Sequence, residues 1–460
     1  MKILLTHGYF IEDDPKEKII MRPYVPLGIL YISAWLEKFG YDNDVFDSTF
    51  STFEKQKEFI IKNKPDIIAI YTNLMTKVNV LRTIKFIKND SRFEQTKIIL
   101  GGPEVRNHVD KFLQHGADFI VLGEGEETML DLVKYLDHVS EKTIEQIEGI
   151  AFKNHDHQTQ YSNERTKIKN LDELPLPNRT KVDLQLYFDA WKTKHGTSAV
   201  SINTMRGCPY SCKWCSRAVY GQSYRRRSAK HVADEIEWIK NHYEVDSIWF
   251  VDDVFTISHK WLNEFKTELH SRNISMPYEC ITRADRMDEE VIKELKESGC
   301  FRVWIGAESG SQKVIDLMER RVNVNQVREM IQLTRKHGIQ TGTFIMVGYP
   351  GETEEDIFET VNHLKISNPD HFTITVAYPI KGTPLYEEVE NLFIEDLAWE
   401  NSTDRDIDFK RTYSRKYYDY AVRMIVNEIG AFKNDEDLFR HYKMKAKALF
   451  ARGGMLLSKK

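Results

Sequence analysis

Short apolar runs alternate with amphipathic stretches along the first third of the chain. Residues 66–71 form an apolar run that is too short for a helix and follows Lys64-Pro65, which predicts a buried strand. The same alternation predicts strands at 2–6, 44–46, 66–71, 97–100 and 118–122, and helices at 27–39, 53–62, 76–89, 104–115 and 126–136. Strands that alternate with helices predict a doubly wound parallel sheet over residues 1–140.

The middle of the chain is less regular. A hairpin is predicted from residues 149–153 and 158–162 around Asn154-His155-Asp156. The sequence Leu174-Pro-Leu-Pro177 then disfavours regular structure, because proline lacks an amide donor and restricts the residue before it. We therefore predict that residues 141–195 are a hairpin and linker between two domains.

The alternation of strands and helices resumes over residues 196–394. It predicts strands at 198–204, 247–251, 278–282, 301–305, 340–347 and 371–376, and helices at 228–243, 258–272, 288–298, 324–337 and 353–366. Six strands with helices between them favour a partial (β/α)6 barrel over a second flat sheet. The last part, residues 395–460, is rich in lysine, arginine and tyrosine and is predicted to be helical.

The overall composition is that of a folded protein. Of the 460 residues, 41% are hydrophobic and 29% are charged, which excludes intrinsic disorder as the main state. The net charge of −5 argues against a general attraction to nucleic acid or to anionic membranes. The mean hydropathy is −0.49, and we identify neither a membrane-spanning run nor a signal peptide. We therefore expect a cytoplasmic protein.

Three of the five cysteines stand in one short loop. Cys208, Cys212 and Cys215 follow the first predicted barrel strand, with three and two residues between them. Three thiolates at this spacing fit a [4Fe–4S] cube, and they leave one iron open for a substrate or cofactor. The alternatives are free buried thiols, or a zinc site completed by a distant fourth ligand. Cys280 and Cys300 are interpreted as ordinary core thiols.

The cysteine loop resembles that of the radical S-adenosylmethionine (SAM) superfamily. The shared feature is Cys208-x3-Cys212-x2-Cys215, with aromatic Trp214 before the last cysteine, at the end of the first strand of a (βα)6 pattern. The resemblance covers about residues 195–390. It implies that the open iron chelates SAM, that the reduced cluster splits the sulfonium, and that a 5′-deoxyadenosyl radical abstracts a substrate hydrogen. It also implies an electron donor such as flavodoxin or ferredoxin.

Further residues at the ends of the predicted barrel strands agree with this resemblance. The family pattern implies SAM contacts in an acidic segment after the fourth strand and in glycines after the fifth, where backbone can approach adenine. The implied SAM contacts are Trp214, Asp252, Asp253, Arg283, Glu308, Ser309, Gly348 and Gly351. Each charged residue alone is equally typical of a solvated loop or a cap, and it is their placement at successive strand ends that favours a cofactor.

Two glycine-containing loops follow the fourth and fifth predicted strands of the first domain. They read Gly101-Gly102-Pro103-Glu104 and Gly123-Glu124-Gly125-Glu126. Both open helices at the carboxyl edge of the sheet, where doubly wound folds bind ligands. They lack the Gly-x-Gly-x-x-Gly order of a dinucleotide site, and taken alone they are also explained as tight turns.

Together with the barrel motifs, these loops resemble the cobalamin-binding subclass of radical SAM enzymes. That subclass includes class B methyltransferases and the anaerobic Mg-protoporphyrin monomethyl ester cyclase type. The shared segments are, in order, Pro26-Leu27-Gly28-Ile29-Leu30-Tyr31, the two glycine loops and Leu174-Pro-Leu-Pro. The resemblance implies a Rossmann-like cobalamin-binding domain with contacts from Thr6, His7, Leu27, Gly28, Thr72, Gly101, Gly102, Pro103, Glu104, Gly123, Glu124, Gly125 and Glu126.

One departure from the cobalamin-binding pattern concerns the cobalt ligand. The chain lacks the Asp-x-His-x-x-Gly motif that supplies a histidine to cobalt. This implies either base-off binding without a histidine ligand or loss of cobalamin. His7, at the end of the first strand, is a candidate to approach the corrin, although a lone histidine is more often a satisfied polar residue.

The resemblance implies C-methylation of an unactivated carbon in a small-molecule substrate. One SAM would methylate cobalt, and the radical formed from a second SAM would activate the carbon. Ring formation or oxidative cyclisation is the alternative within the class, and a non-catalytic iron–sulfur redox sensor is the alternative from another class. The C-terminal region would cover the barrel mouth, bind RNA, or pack as an ordinary amphipathic helix.

Overall fold

The computed structural model describes residues 1–459, and its first part is a seven-stranded sheet. The strands are β1 (Ile3–His7), β2 (Asp44–Phe46), β3 (Ile67–Tyr71), β4 (Lys97–Gly101), β5 (Phe119–Val121), β6 (Ile150–Lys153) and β7 (Thr159–Tyr161). Their spatial order is β2-β1-β3-β4-β5-β6-β7. The strands are parallel as far as β5, which confirms the predicted doubly wound fold.

Helices and apolar residues cover both faces of this sheet. The helices are α1 (Pro15–Ile20), α2 (Leu27–Lys38), α3 (Phe53–Asn63), α4 (Lys77–Lys88), α5 (Val109–Gln114) and α6 (Glu126–Leu136). Ile68 and Ile70 of β3 pack in one core, whereas Ile67 and Ala69 pack in the other. This two-sided burial is typical of parallel strands, and it leaves the loops at the carboxyl edge free to form a site.

The predicted hairpin belongs to the first sheet. Strand β6 pairs antiparallel with β5, and β7 pairs antiparallel with β6. Ile150 and Phe152 pack in the same core as Val121, which explains why the hairpin adds to the sheet. The predicted hairpin thus joins the first sheet, while the domain boundaries stay a prediction. We propose that the first domain ends after β7 and that the linker contains α7 (Leu184–His195).

The second sheet has six parallel strands and stays open. The strands of this half of the chain are β8 (Ala199–Ile202), β9 (Met205–Arg206), β10 (Arg225–Arg226), β11 (Ser247–Phe250), β12 (Tyr278–Thr282), β13 (Cys300–Glu308), β14 (Gln340–Val347) and β15 (His371–Val376). The order in the sheet is β15-β14-β13-β12-β11-β8, and β9 with β10 forms a separate antiparallel ribbon. Within residues 1–459 the edge strands β8 and β15 do not pair, so the predicted partial barrel is confirmed.

Helices pack on the outer face of the half-barrel. They are α8 (Ala229–His242), α9 (His259–Ser271), α10 (Glu289–Glu297), α11 (Gln312–Leu317), α12 (Val324–Lys336), α13 (Glu354–Ser367) and α14 (Pro384–Val389). Helices α8, α9, α10, α12 and α13 share one core with the strands, whereas α11 and α14 contribute to a smaller cluster. Trp249, Trp304 and Phe344 pack together in a third cluster. The alternation of side chains along each strand therefore separates the outer core from the inner face.

The C-terminal region is only partly helical. Residues 395–414 contain short turns instead of the predicted helix, and α15 (Arg415–Lys433) and α16 (Leu438–Leu457) follow. Helix α15 shares the outer core with Phe372 and Ile374 of β15, so it packs on the outer layer. Trp399 crosses to the first domain and packs against Phe112. Among residues 1–459, no helix is long and apolar enough to cross a membrane.

Candidate active site

The three-cysteine loop follows β9, at the carboxyl end of the first barrel strand. Cys208 and Cys212 are buried, and Cys215 is half-buried. Burial raises the pKa of the Cys208 thiol, and it raises the pKa of Cys215 to about 12. Such thiols are protonated at neutral pH, so metal binding has to displace their protons.

The spacing of these thiols distinguishes a cube from a single metal ion. Among residues 1–459, no three His, Cys, Asp or Glu side chains are grouped so that they could hold one metal ion. A tetrahedral zinc site requires such convergence, whereas each thiolate of a cube binds a different iron. Three thiols in one loop therefore fit a [4Fe–4S] cluster with three protein ligands.

The backbone around the loop is tightly packed. Gly207, directly before Cys208, has φ = +84°, and a Cβ there would lie 2.3 Å from the Ser223 hydroxyl oxygen. Only glycine fits this position. Lys213, inside the loop, donates its amide to the Met318 carbonyl at 3.2 Å and accepts the Leu385 amide at 3.0 Å. The loop is therefore held by the residue that follows α11 and by the first turn of α14.

Two arginines lie against the cysteine loop. Arg283, predicted from the sequence, is 1% exposed, and its Nη1 lies 3.7 Å from Cys212 Sγ. Arg320, which sequence reasoning missed, has its Nη1 3.8 Å from the same sulfur. Trp214 is half-buried in the cluster that contains Met318 and lies beside Arg320. The structure therefore brings two of the predicted residues and one unpredicted residue to the cysteines.

Glu308 has the most unusual backbone among the predicted SAM contacts. It ends β13 with φ = +64°, a left-handed conformation that a glutamate rarely adopts and that is typical of functional sites. Burial raises the pKa of its carboxyl, and its Oε1 lies 3.6 Å from Arg320. Asp253 is exposed on the loop after β11, and its negative charge contributes to the raised pKa of Cys208 and Cys215.

Two other predicted SAM contacts have a different role in the structure. Asp252 is buried and accepts the amide of Thr204 at 2.7 Å and the amide of Met205 at 3.1 Å. Ser309 is buried as well, and its hydroxyl accepts the Ser311 amide at 3.1 Å. These hydrogen bonds hold the strand ends in place, and contact of Asp252 and Ser309 with SAM stays a prediction.

The turn after β14 carries the predicted glycines. Gly348 and Gly351 have φ values of +78° and +83°, and the Gly348 amide donates to Glu352 at 2.5 Å. Burial raises the pKa of Glu352 to about 8. Buried Arg411, from the C-terminal region, lies over Gly348, where a Cβ would be 3.2 Å from its Nη1. The C-terminal region therefore packs directly on the predicted adenine segment.

We expect the free energy of unfolding to decrease as the pH rises, because of the carboxyl of Glu352. Glu352 keeps its proton to about pH 8 in the folded chain, whereas a free glutamic acid loses it near 4.5. Unfolding releases that proton between these values, so the free energy of unfolding falls by up to about 1.4 kcal/mol per pH unit. The E352Q variant lacks this proton. Melting curves from pH 5 to 8 should therefore fall more steeply for the wild type than for E352Q, and parallel curves would contradict the assignment.

The acidic residues after β5 form ion pairs between the domains. Arg206 Nη1 donates to Glu124 at 2.8 Å and to Glu126 at 3.1 Å, and Arg225 Nη1 donates to Glu124 at 2.6 Å. Arg206, Glu124 and Glu126 are all buried. Arg206 and Arg225 satisfy these carboxylates, and contact of Glu124 and Glu126 with cobalamin stays a prediction.

His7 and Thr6 belong to a polar network behind the first sheet edge. His7 Nε2 lies 2.9 Å from Asp47, and its Nδ1 accepts the Tyr9 amide at 3.1 Å. The Thr6 hydroxyl donates to the Phe46 carbonyl at 2.8 Å. Both ring nitrogens of His7 therefore have partners within the protein, and contact of Thr6 and His7 with the corrin stays a prediction.

Glycine residues lie along the carboxyl edge of the first sheet. A Cβ on Gly28 would meet only Tyr71, at 3.9 Å, and one on Gly123 only the Val219 carbonyl, at 3.8 Å. Gly102 has φ = +109°, and a Cβ there would lie 2.4 Å from the Thr72 carbonyl. Half-buried positions near these glycines are Leu27, Gly101, Pro103 and Gly125. We call the backbone at exposed Gly28 and half-buried Gly123 the glycine cradle. A large flat ligand can approach backbone without a Cβ closely.

Glu104 and His108 form a buried pair next to this edge. Burial raises the pKa of Glu104 to about 7 and lowers that of His108 to about 3. Glu104 Oε1 lies 3.5 Å from His108 Nε2, and within residues 1–459 that oxygen and both ring nitrogens lack a hydrogen-bond partner. Glu104 was predicted from its loop, whereas a single histidine at the start of α5 gave no sequence signal.

Two family models match the chain in the order of its two sheets. The B12 binding domain model matches residues 22–133, which contain the glycine cradle. The radical SAM superfamily model matches residues 202–364, which contain the cysteine loop, Arg283 and Glu308. The fold and the site thus define a radical SAM enzyme that carries a B12-binding domain.

Several known proteins are similar to the chain over most of its length. The uncharacterized methyltransferase PH0819 of Pyrococcus horikoshii is 28% identical, over 88% of this chain and 87% of that protein. The anaerobic magnesium-protoporphyrin IX monomethyl ester cyclase of Rubrivivax gelatinosus is 27% identical, over 85% of this chain and 70% of that protein. The cobalamin-dependent SAM radical enzyme OxsB matches with a TM-score of 0.75 at 16% identity, covering 99% of this chain and 72% of that chain. The chain therefore combines a radical SAM domain with a B12-binding domain, and its cofactors are a [4Fe–4S] cluster, SAM and cobalamin.

Proposed function

We propose that this chain methylates an unactivated carbon of a small molecule. The observation that carries the proposal is the buried ion-pair network between the two cofactor edges. Arg206, two residues before Cys208, is paired with Glu124 and Glu126, which directly follow Gly123 of the glycine cradle. These ion pairs therefore connect the segment before the cysteine loop to the loop that contains Gly123; we call this contact between the two domains the seam. The name of the P. horikoshii relative, a methyltransferase, supports methyl transfer as the outcome.

The chain's own residues bind and orient the cofactors. When bound, the cluster and SAM supply a 5′-deoxyadenosyl radical, and cobalamin supplies a methyl carrier. We assign Cys208, Cys212 and Cys215 to the cluster, and Glu308 with the turn from Gly348 to Gly351 to SAM. The glycine cradle receives the corrin. The closed seam between the domains helps to exclude water from the space where a radical would be quenched.

We also propose an electron donor and a cellular location. A cluster of this class must be reduced, and a flavodoxin or ferredoxin is the donor we infer. All five cysteines are free thiols, which fits the reducing cytoplasm. Reduction by dithionite and by a purified flavodoxin system, compared in the same assay, tests the donor.

Anaerobic reconstitution with iron, sulfide and hydroxocobalamin tests the function. With a reductant and SAM, we expect 5′-deoxyadenosine even without substrate and, with an acceptor, S-adenosylhomocysteine as the second product. Deoxyadenosine without S-adenosylhomocysteine or a methylated product, across all acceptors that stimulate turnover, would overturn methylation in favour of cyclisation chemistry. No deoxyadenosine from a reconstituted cluster would support the redox sensor.

Cobalamin binding should depend on the bare backbone at Gly28. A leucine at this position has free space in the protein alone, because a Cβ meets nothing closer than 3.9 Å. We expect G28L to fold normally and to raise the Kd for hydroxocobalamin at least about tenfold, since the side chain fills the cradle. Absorption titration of the apoprotein measures this.

The matched control is Gly453, the other helical glycine with free space around its Cβ position. It lies in α16, away from the cradle, and G453L should bind hydroxocobalamin as the wild type does. Equal affinity of G28L and G453L would show that the corrin binds elsewhere.

A further inference from the structure

Two buried guanidinium groups converge on one of the three cysteine sulfurs. Arg283 Nη1 lies 3.7 Å and Arg320 Nη1 lies 3.8 Å from Cys212 Sγ, and both qualify as hydrogen bonds to sulfur. Within the part of the chain that the structure describes, no arginine makes such a contact with Cys208 or Cys215. The three cluster ligands are therefore electrostatically unequal.

Arg283 is held at this position by contacts that do not involve cysteine. Its Nε donates to Asp285 at 2.8 Å, its Nη2 donates to the Arg320 carbonyl at 2.8 Å, and its plane lies 3.8 Å from the centre of the Tyr210 ring. The guanidinium is 1% exposed and has no alternative orientation towards water. Its direction towards Cys212 is thus set before any cluster binds.

Arg320 occupies space that is available because residue 306 is a glycine. Its Nη2 donates to the Gly306 carbonyl at 3.0 Å and lies 3.6 Å from Glu308 Oε1. A Cβ on Gly306 would lie 2.3 Å from that Nη2, so any side chain at residue 306 would displace the arginine. The glycine in the middle of β13 is therefore explained by close approach of Arg320 rather than by strand formation.

We propose that Arg320, together with Arg283, raises the reduction potential of the cluster through Cys212. Hydrogen bonds to a ligand sulfur and a nearby positive charge both stabilise the reduced cluster, which carries one more negative charge than the oxidised cluster. Two charge-assisted donors on one thiolate reduce its electron donation to its iron. The effect makes the cluster easier to reduce by a cellular donor. This inference rests on the [4Fe–4S] cluster of the proposed function.

The test is a potentiometric titration of the reconstituted enzyme, followed by electron paramagnetic resonance. We expect the midpoint potential to decrease from wild type to R320K to R320M, because lysine keeps the charge but loses the planar fork of donors. Neighbouring Arg321 has a side chain that is 75% exposed, so R321M is the matched control and should titrate as the wild type does. A merely structural role would change iron content or stability but leave the potential unchanged.

The experiment distinguishes failure of this proposal from failure of the proposed function. An R320M variant with wild-type iron content and an unchanged potential would overturn the proposal. Where R320M assembles too little cluster, R320K decides: a lower potential than wild type supports the proposal, and an equal or higher potential overturns it. Failure of the wild type to assemble a SAM-cleaving cluster would instead contradict the proposed function.

Discussion

Replacing Cys212 by serine should reduce 5′-deoxyadenosine formation to the background of the assay. Serine has nearly the shape of cysteine, but its hydroxyl stays protonated at neutral pH and is a poor iron ligand. The cube then has two protein ligands instead of three. Deoxyadenosine released from SAM by the reconstituted enzyme, iron content and visible absorption measure the loss together. The Cys208 and Cys215 serine variants should behave in the same way.

Cys280 provides the control for this experiment. It is a buried thiol on β12, outside the cysteine loop, and shares the outer barrel core. C280A should therefore bind the wild-type amount of iron and cleave SAM, with only a packing loss. Full iron content and SAM cleavage in C212S would show that the loop does not hold the cluster.

The parts of the site that follow from local sequence were predictable. The cysteine spacing places three thiols in one loop, and alternating strands and helices place that loop at a carboxyl edge. Both inferences need only neighbouring residues. The same is true of Gly348, whose φ of +78° is typical of the turn that the glycine pattern indicates.

The partners of charged residues were not predictable. Arg320 lies 108 residues from Cys212 along the chain, and nothing near it in sequence distinguishes it from a surface arginine. Glu124 and Glu126 stand in a loop that looks ready for a ligand, yet their carboxylates are neutralised by Arg206 and Arg225 from the other domain. A sequence pattern shows where a charge is placed, but only the fold shows what neutralises it.

Contacts between distant segments also explain the structure of two segments that the sequence pattern described incompletely. Strand β6 completes the edge of the first sheet because Ile150 and Phe152 bury their side chains in its core, whereas the sequence shows only a hairpin after a loop. Residues 395–414 are predicted to be helical. In the structure, Trp399 packs against Phe112 of the first domain and Arg405 donates a hydrogen bond to Asp14. In both cases contacts between distant segments decide the structure.

Mutation of the buried ion-pair network between the two domains should cause the second largest effect, a loss of stability. Arg206 is 4% exposed and lies between Glu124 and Glu126. The R206M variant leaves two buried carboxylates with Arg225 as their remaining cation. Removing one partner of a buried pair costs about 3–5 kcal/mol, so we expect a loss of that size in the free energy of unfolding. Chemical denaturation followed by tryptophan fluorescence measures it.

Two further variants show whether the loss arises from uncompensated charge. In R206M, Glu124 keeps Arg225 whereas Glu126 loses its cation, so R206M/E126Q should recover part of the stability, because an amide is less costly to bury than an unpaired charge. Arg92 makes an exposed ion pair with Asp90, and R92M should leave the denaturation midpoint unchanged. Since Arg206 stands two residues before Cys208, R206M should also take up less iron than R206M/E126Q. An R206M variant that is as stable as R92M would show that the seam between the cofactor edges does not depend on these charges.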